Sequence, residues 1–422
     1  MELSSKWNRR SFLGTLGAIV GAVIAPTRLF AGKKVAATVA AGSAKLSGLG
    51  ETGNPYEELG VPTVINAEGT MTVLGGSLPR PEIEIVMAQA GKHFVSIAEL
   101  EVAAGKRIVE MLKLPDGYSA IVTSGAAAAI QSGLAGILTG NNETFIKQLP
   151  DLTDLKSEVI IQKSHRNPFD HQLRATGIKL VVIETRDELQ AAINDRTAMM
   201  HFSYFANNVG QIKDEEWLKI AQENKIPTLI DAAADTPPVS NLSKHAQMGY
   251  DLITFSGGKA IRGPQCAGML LGKKDMVANA LLNNSPHEDT LGRSQKVGKE
   301  EILGMVKALE LYLNEDHDAL WKEWQGRLET ISGQVTKIPG VSTEYFVPDI
   351  ANHVPHMEIK WESKISLTPQ EASELLRKGN PSISMSPGEG KPGLEMNSFM
   401  LQPGEDKIIA QQLVKLFREH SA

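Results

Sequence analysis

Between Tyr118 and Leu271 the chain alternates strand-like runs with helical or polar stretches. The runs are Tyr118 to Val122, Glu158 to Gln162, Lys179 to Ile183, Ala198 to Phe202, Thr228 to Ile230, Leu252 to Phe255 and Ala267 to Leu271. Short runs that are apolar nearly throughout read as strands buried on both faces. Strands that alternate with helices make a largely parallel sheet with helices on both faces, so the fold class is α/β. Beyond the helical stretches Met276 to Asn283 and Lys299 to Leu313 the pattern changes. Gly340 to Trp361 alternates as strands, Thr368 to Lys378 is helical, and Glu405 to His420 closes the chain as an amphipathic helix, which predicts a smaller α+β carboxy-terminal domain. At 422 residues, 42% hydrophobic and 22% charged, the chain can bury two such cores, and a disordered body is excluded.

Three of the runs end in residues that carry chemistry. Leu252 to Phe255 stops at Ser256-Gly257-Gly258-Lys259. A lysine just past a buried strand end sits near apolar backbone, where desolvation favours the neutral amine, and the two glycines leave space for a bulky partner. Thr228 to Ile230 ends in Asp231, followed by three alanines and Asp235. The carboxyl end of a parallel strand is where open α/β sheets place ligands. Ala120 to Thr123 runs into Ser124-Gly125 and then a helix of small residues, a start whose free N–H groups suit a phosphate, with the hydroxyls of Thr123 and Ser124 in reach. A phosphate turn, a strand-end acid and a strand-end lysine, in that order, match the needs of pyridoxal 5′-phosphate (PLP): a phosphate cradle, a partner for the ring nitrogen and an amine for the aldehyde. A loop lysine and ordinary helix capping are the plainer readings of each piece taken alone.

From about Tyr56 to Leu309 the chain resembles the selenocysteine synthase-like group of fold-type-I PLP enzymes, which includes seryl-tRNA selenium transferase and the D-glucosaminate-6-phosphate ammonia-lyase type. The resemblance is carried by Val64 to Thr70, Thr123 to Ala127, His165 to His171, Asp231 to Ala234, Phe255 to Gln265 and Gly292 to Lys299. The His165-Arg-Asn-Pro and Gly-Gly-Lys259 forms lie closer to the ammonia-lyase branch. It implies a fold-type-I PLP-dependent transferase-like fold, with Lys259 carrying the Schiff base and Asp231 pairing with the ring nitrogen. Ser124, Gly125 and Ala126 would hold the phosphate, helped by Ser256. His165 would stack on the ring, or else be a satisfied histidine in a polar loop. Arg293 and Lys296 would face the substrate's leaving group or anion, or else belong to a solvated charged turn. One departure stands out: where the selenium transferases carry Leu-Gly-Arg, this chain has Leu74-Gly75-Gly76, which counts against selenophosphate-type chemistry.

The amino terminus suggests export. Arg9-Arg10-Ser-Phe-Leu13, an apolar stretch from Thr15 to about Ala25 and small residues around Ala31 read as a twin-arginine signal over residues 1–31, with an uncleaved membrane anchor as the alternative. Residues 32–55 read as a linker, 56–310 as the large PLP-binding domain and 311–422 as the small domain. The expected location is periplasmic, and the twin-arginine export machinery is an expected partner. The lone Cys266 excludes an internal disulfide and reads as a small core residue of its run. His353 and His356 lack metal-ligand spacing and read as loop or strand residues, so no metal is expected.

The formal charge is −6; the first 31 residues hold four cations against Glu2, a balance of +3, which leaves −9 for the rest. That charge, with no basic block, argues against a nucleic-acid partner. The expected activity is a PLP-dependent lyase that eliminates and deaminates a small amino acid or amino sugar acid. An aminotransferase, a racemase, a selenium transferase-like enzyme and a silent exported protein of the same fold remain alternatives. A homodimer or larger homo-oligomer is the expected assembly, as the resemblance implies.

Overall fold

The computed structural model describes residues 49–50, 53–388 and 392–421, so the twin-arginine reading lies outside the described residues. The chain divides into two units, residues 1–59 and Gly60–Ala422. In the first, a one-turn helix, Pro55–Glu58, is capped by Asn54, whose side chain accepts the Tyr56 N–H.

In the second unit, strand β1 (Val64–Asn66) is followed by β2 (Tyr118–Thr123), β3 (Glu158–Gln162), β4 (Lys179–Ile183), β5 (Thr197–Ser203), β6 (Thr228–Asp231), β7 (Leu252–Ser256) and β8 (Gly268–Lys273). Strands β2 to β8 form one seven-stranded sheet in the order β2-β8-β7-β6-β5-β3-β4. Pairs from β7 through β6, β5 and β3 to β4 are parallel, while β8 runs antiparallel to both β7 and β2. The reversal has a local cause. Only eleven residues separate β7 from β8, and they hold the Lys259 turn instead of a helix, too little chain for a parallel crossover.

Every residue of β3, β5 and β6 is buried, which is why these runs carry no polar alternation. On one face the Gly125–Thr139 helix lies against Leu229, Leu252 and Leu270, whose Cδ1 atoms lie within 3.5 Å of where a Cβ on Gly133 would be. On the other, Phe202, Ile230, Ile253 and Phe255 pack with Trp217, Ile302 and Met305. The Ile97–Leu112 helix covers the free edge of β2, where unpaired backbone would otherwise face water. A Cβ on Gly105 would overlap the carbonyl oxygen of Ala120, and the Glu101 side chain accepts the Val122 N–H through Oε2 at 2.9 Å.

The carboxy-terminal part adds β9 (Val341–Phe346), β10 (His356–Trp361), β11 (Ser382–Ser384), β12 (Ser386–Pro387) and β13 (Gly393–Asn397). Four of these form an antiparallel sheet, β12-β13-β10-β9. Its core joins Met357 and Ile359 to Leu328 and Ile331 of the His317–Val335 helix and to Ile409, Leu413 and Phe417 of the Glu405–Glu419 helix. The Pro369–Lys378 helix starts with a capping box in which Thr368 and Glu371 satisfy each other's backbone N–H groups. Strand β1, far away in sequence, pairs in parallel with β11.

One expectation is corrected here. Cys266 is exposed and lies outside β8, because the chain is still turning at that point: the Ala267 N–H bonds to Pro264 O.

Candidate active site

Strand register gathers the site. Ser203, Asp231 and Thr254 are lateral neighbours on β5, β6 and β7, so their side chains leave the sheet on the same face. Leu229 and Leu252, two residues earlier on their strands, meet the Gly125–Thr139 helix, so this is the helix-bearing face. Ser256 lies two residues beyond Thr254 and pairs with Gly268, which pairs in turn with Thr123. A Cβ on Gly268 would come within 2.6 Å of Gly125 C and 2.7 Å of Ala126 N, so the helix start rests directly on the sheet. Ser124, Gly125, Ala126, Ser256 and Asp231 therefore share one side, with Lys259 three residues past Ser256.

The helix start leaves its backbone donors uncapped. It carries no acidic residue in its first turn and no side-chain cap, although Ser124 stands at the cap position. Gly125 has φ +80°, and its Cβ position faces open space. Ser124 and Gly125 are half-buried, whereas Thr123 is fully buried with its hydroxyl donated to Gly125 O at 2.9 Å. Thr123 thus shapes the turn, and the free donors are those of Ser124, Gly125 and Ala126 at the positive end of the helix dipole.

Asp231 is 8% exposed, and its Oδ1 accepts the Ala233 N–H at 3.1 Å and the Thr254 hydroxyl at 3.3 Å. Burial raises its pKa, and the charge of Lys259 opposes that rise. Lys259 shows the mirror image: burial lowers its pKa, and Asp231 opposes the fall. Each therefore lies in the other's field, which is the relation an acid and an amine on one cofactor ring require.

The lysine turn is closely packed at its glycines. A Cβ on Gly257 would overlap Met305 Sδ, and one on Gly258 would lie 2.9 Å from Gln265 Cα. Gly76, at φ +74°, has its Cβ position 2.7 Å from Gly258 O and overlapping Gln265 Oε1, so no side chain of any charge fits there. Two reciprocal bonds clasp the same stretch. Arg80 Nη1 donates to Ile261 O at 3.1 Å, and Arg262 Nε donates to Leu78 O at 2.9 Å. Arg80, 9% exposed, is neutralised by Glu315, with Nε to Oε1 at 2.7 Å. The sequence around Gly268 and Arg80 carries no pattern that marks them as part of this site. Thr254 alone left a signal, a hydroxyl two residues before Ser256 in a run otherwise apolar.

His165 follows β3 and closes a one-turn 3-10 helix, Lys163–His165. It is fully enclosed, edge-to-face with Phe202 at a centroid distance of 4.3 Å. Gln162 is fixed by a two-way bond to the main chain of Ile212, which turns its remaining N–H toward His165 Nε2 at 3.1 Å. The Ser203 N–H points at Nδ1 at 3.2 Å. The Ser203 bond makes Nδ1 an acceptor, a role an imidazolium could not fill. Burial lowers its pKa to about 4, so His165 is neutral.

Arg293 is half-buried and Lys296 exposed. Their loop reaches the cofactor-side helix through Gln295, which bonds to Gln131. Thr290 Oγ1 and Gln295 Oε1 of that loop are buried with no hydrogen-bond partner. His353 and His356 bond through Nδ1 to Pro348 O and Val354 O, contacts that hold the connection between β9 and β10.

These residues fit PLP: an uncapped helix start for the phosphate, a buried acid for the ring nitrogen and a desolvated amine for the aldehyde. Fold and site together define a PLP-dependent enzyme of fold type I, a lyase or transferase. The aminotransferase class-V family matches residues 87–286. The D-glucosaminate-6-phosphate ammonia lyase of Salmonella typhimurium (strain 14028s / SGSC 2262) is 28% identical over 388 residues, covering 88% of this chain and 100% of that protein. A 5′-C-glycyluridine monooxygenase-decarboxylase of Streptomyces sp is 26% identical over 380 residues, 86% of this chain and 92% of that one. A solved structure of D-glucosaminate-6-phosphate ammonia-lyase superposes with a TM-score of 0.75 at 25% identity, covering 87% of this chain and 99% of that chain. The likeness to the selenocysteine synthase-like and ammonia-lyase group extends well beyond the motifs that first suggested it, and a PLP-dependent lyase fits both the site and these relatives.

Proposed function

We propose that this protein removes ammonia from a small amino acid or amino sugar acid with a hydroxyl on the carbon next to the amine, D-glucosaminate 6-phosphate being the representative substrate. The observation that carries the reading is the mutual coupling of Lys259 and Asp231 beside an open, uncapped helix start. PLP, when bound, supplies the sink for the electrons of the Cα–H bond. The chain supplies the rest. The Lys259 amine takes the Cα proton, Asp231 keeps the ring nitrogen protonated, and Ser124 to Ala126 anchor the phosphate. Loss of the neighbouring hydroxyl as water leaves an enamine, which hydrolyses to a keto acid and ammonia. Arg293 and Lys296 serve the anionic end of the substrate in this reading.

Assembly and location belong to the same proposal. Met71, Val73, Leu78, Ile85, Phe94, Val95 and Val102 are large apolar side chains exposed within one stretch of chain, which supports a second copy covering part of that stretch. The paired arginines and the apolar stretch of residues 1–31 support export by the twin-arginine machinery and a periplasmic location. The charge of −9 beyond residue 31 supports a small-molecule substrate over a nucleic acid. The test is product analysis of the PLP-loaded enzyme with D-glucosaminate 6-phosphate and a panel of D- and L-hydroxyamino acids. Equal yields of ammonia and keto acid without a second substrate are expected. A requirement for an added keto acid, or for oxygen, would overturn the reading.

A further inference from the structure

We propose that Glu101 is a positioning residue for the phosphate end of the cofactor site, acting through the unpaired edge of β2. This rests on the PLP reading above. Strand β2 is hydrogen-bonded on one side only, to β8, so the Val122 N–H has no strand partner. Glu101, 1% exposed, reaches it from the Ile97–Leu112 helix and accepts at 2.9 Å. The next residue is Thr123, where the phosphate turn begins.

The contact is one half of a two-point register. Glu101 and Gly105 are four apart and share a helix face, and Val122 and Ala120 are two apart and share a strand edge. Gly105 lets the helix close on Ala120 O while Glu101 takes the Val122 N–H, so the helix can neither slide along the strand nor lift from it without losing one contact. The acid is an expensive way to satisfy one amide. It lies in a core with Ala104, Ile108 and Val122, and burial raises its pKa to about 8. A costly group kept one residue from a binding turn places the turn. It fixes the Val122 backbone, and through it the direction of the Ser124, Gly125 and Ala126 N–H groups.

Comparing PLP with pyridoxal separates this role from general support of the fold, because pyridoxal has the ring and aldehyde without the phosphate. Both affinities would be measured by absorbance titration on the full chain and on Glu101→Gln, whose amide oxygen still accepts, and Glu101→Met, which has no acceptor. Glu101→Met is expected to lose at least about tenfold in PLP affinity with pyridoxal binding unchanged, and Glu101→Gln to keep the wild-type preference. Should Glu101→Met not fold, Glu101→Asn, one methylene too short to reach Val122, is read the same way. Equal losses for both compounds would make Glu101 a fold-support residue only, and no loss for either would remove any role; both outcomes overturn the proposal. A wild-type chain that binds neither compound would instead overturn the PLP reading, and this inference with it.

Discussion

Replacing Glu101 by Gln should change how stability depends on pH, with a sign set by the structure. The carboxyl has a pKa of about 8 when folded against 4.5 when exposed, because burial among apolar groups outweighs its one backbone bond. Below pH 4.5 it is protonated in both states and adds no pH-dependent cost. As pH rises from 4.5 toward 8 the unfolded chain ionises Glu101 while the folded chain holds the proton, so folding stability falls. Above about pH 8 both states are ionised and the loss stops growing. At about 1.4 kcal/mol per pH unit, the full span is on the order of 4–5 kcal/mol. Gln carries no such proton, and whatever its amide costs in packing is the same at every pH. Urea unfolding of both proteins at pH 5, 6.5 and 8.5 should show the variant gaining on the wild type by most of that amount. Other titrating groups, Asp231 and Lys259 among them, cancel in the difference. A wild-type-minus-variant difference that stays flat from pH 5 to 8.5 would refute the account of Glu101 as a desolvated acid.

Gly268→Ala places a Cβ 2.6 Å from Gly125 C, a backbone atom that cannot swing aside, and should cost about 1–3 kcal/mol of stability. PLP affinity should fall about tenfold with it, equivalent to about 1.4 kcal/mol; unchanged PLP titration would count against the helix start as the phosphate site. Gly326→Ala is the contrasting case: it lies inside the His317–Val335 helix with open space at its Cβ, and should stabilise by about 0.5–1 kcal/mol in thermal unfolding. Arg80→Met strips the Ile261 carbonyl of its donor and Glu315 of its ion pair, and should destabilise by about 2–4 kcal/mol in denaturant melts, whereas an effect below about 0.5 kcal/mol would deny the clasp.

The sheet was legible because its inner strands are buried on both faces, which leaves nearly unbroken apolar runs at regular intervals. Lys259, Asp231 and Ser124 were legible for a related reason: each ends such a run, and strand ends are where α/β sheets present chemistry. Local sequence could not show that β8 turns back antiparallel, since that follows from the length and compactness of the Lys259 turn. The pairing of Val64–Asn66 with Ser382–Ser384 joins two three-residue strands more than 300 residues apart, too short to carry a periodicity. Arg80 and Glu315, 235 residues apart, meet only because the 76–80 segment folds over the lysine turn. His165 shows the opposite limit. Its position after a buried strand suggests a ligand-facing ring, but Gln162, Phe202 and Ser203 close around it, and no sequence pattern records which way a side chain leaves a turn.

The central claim is that one amine, Lys259, holds the cofactor. Loading the full chain with PLP, reducing it with borohydride and mapping the modified peptide by mass spectrometry tests this directly. The account predicts a single adduct on Lys259, lost in Lys259→Ala. An adduct on another lysine, or a loaded protein with none, would contradict it.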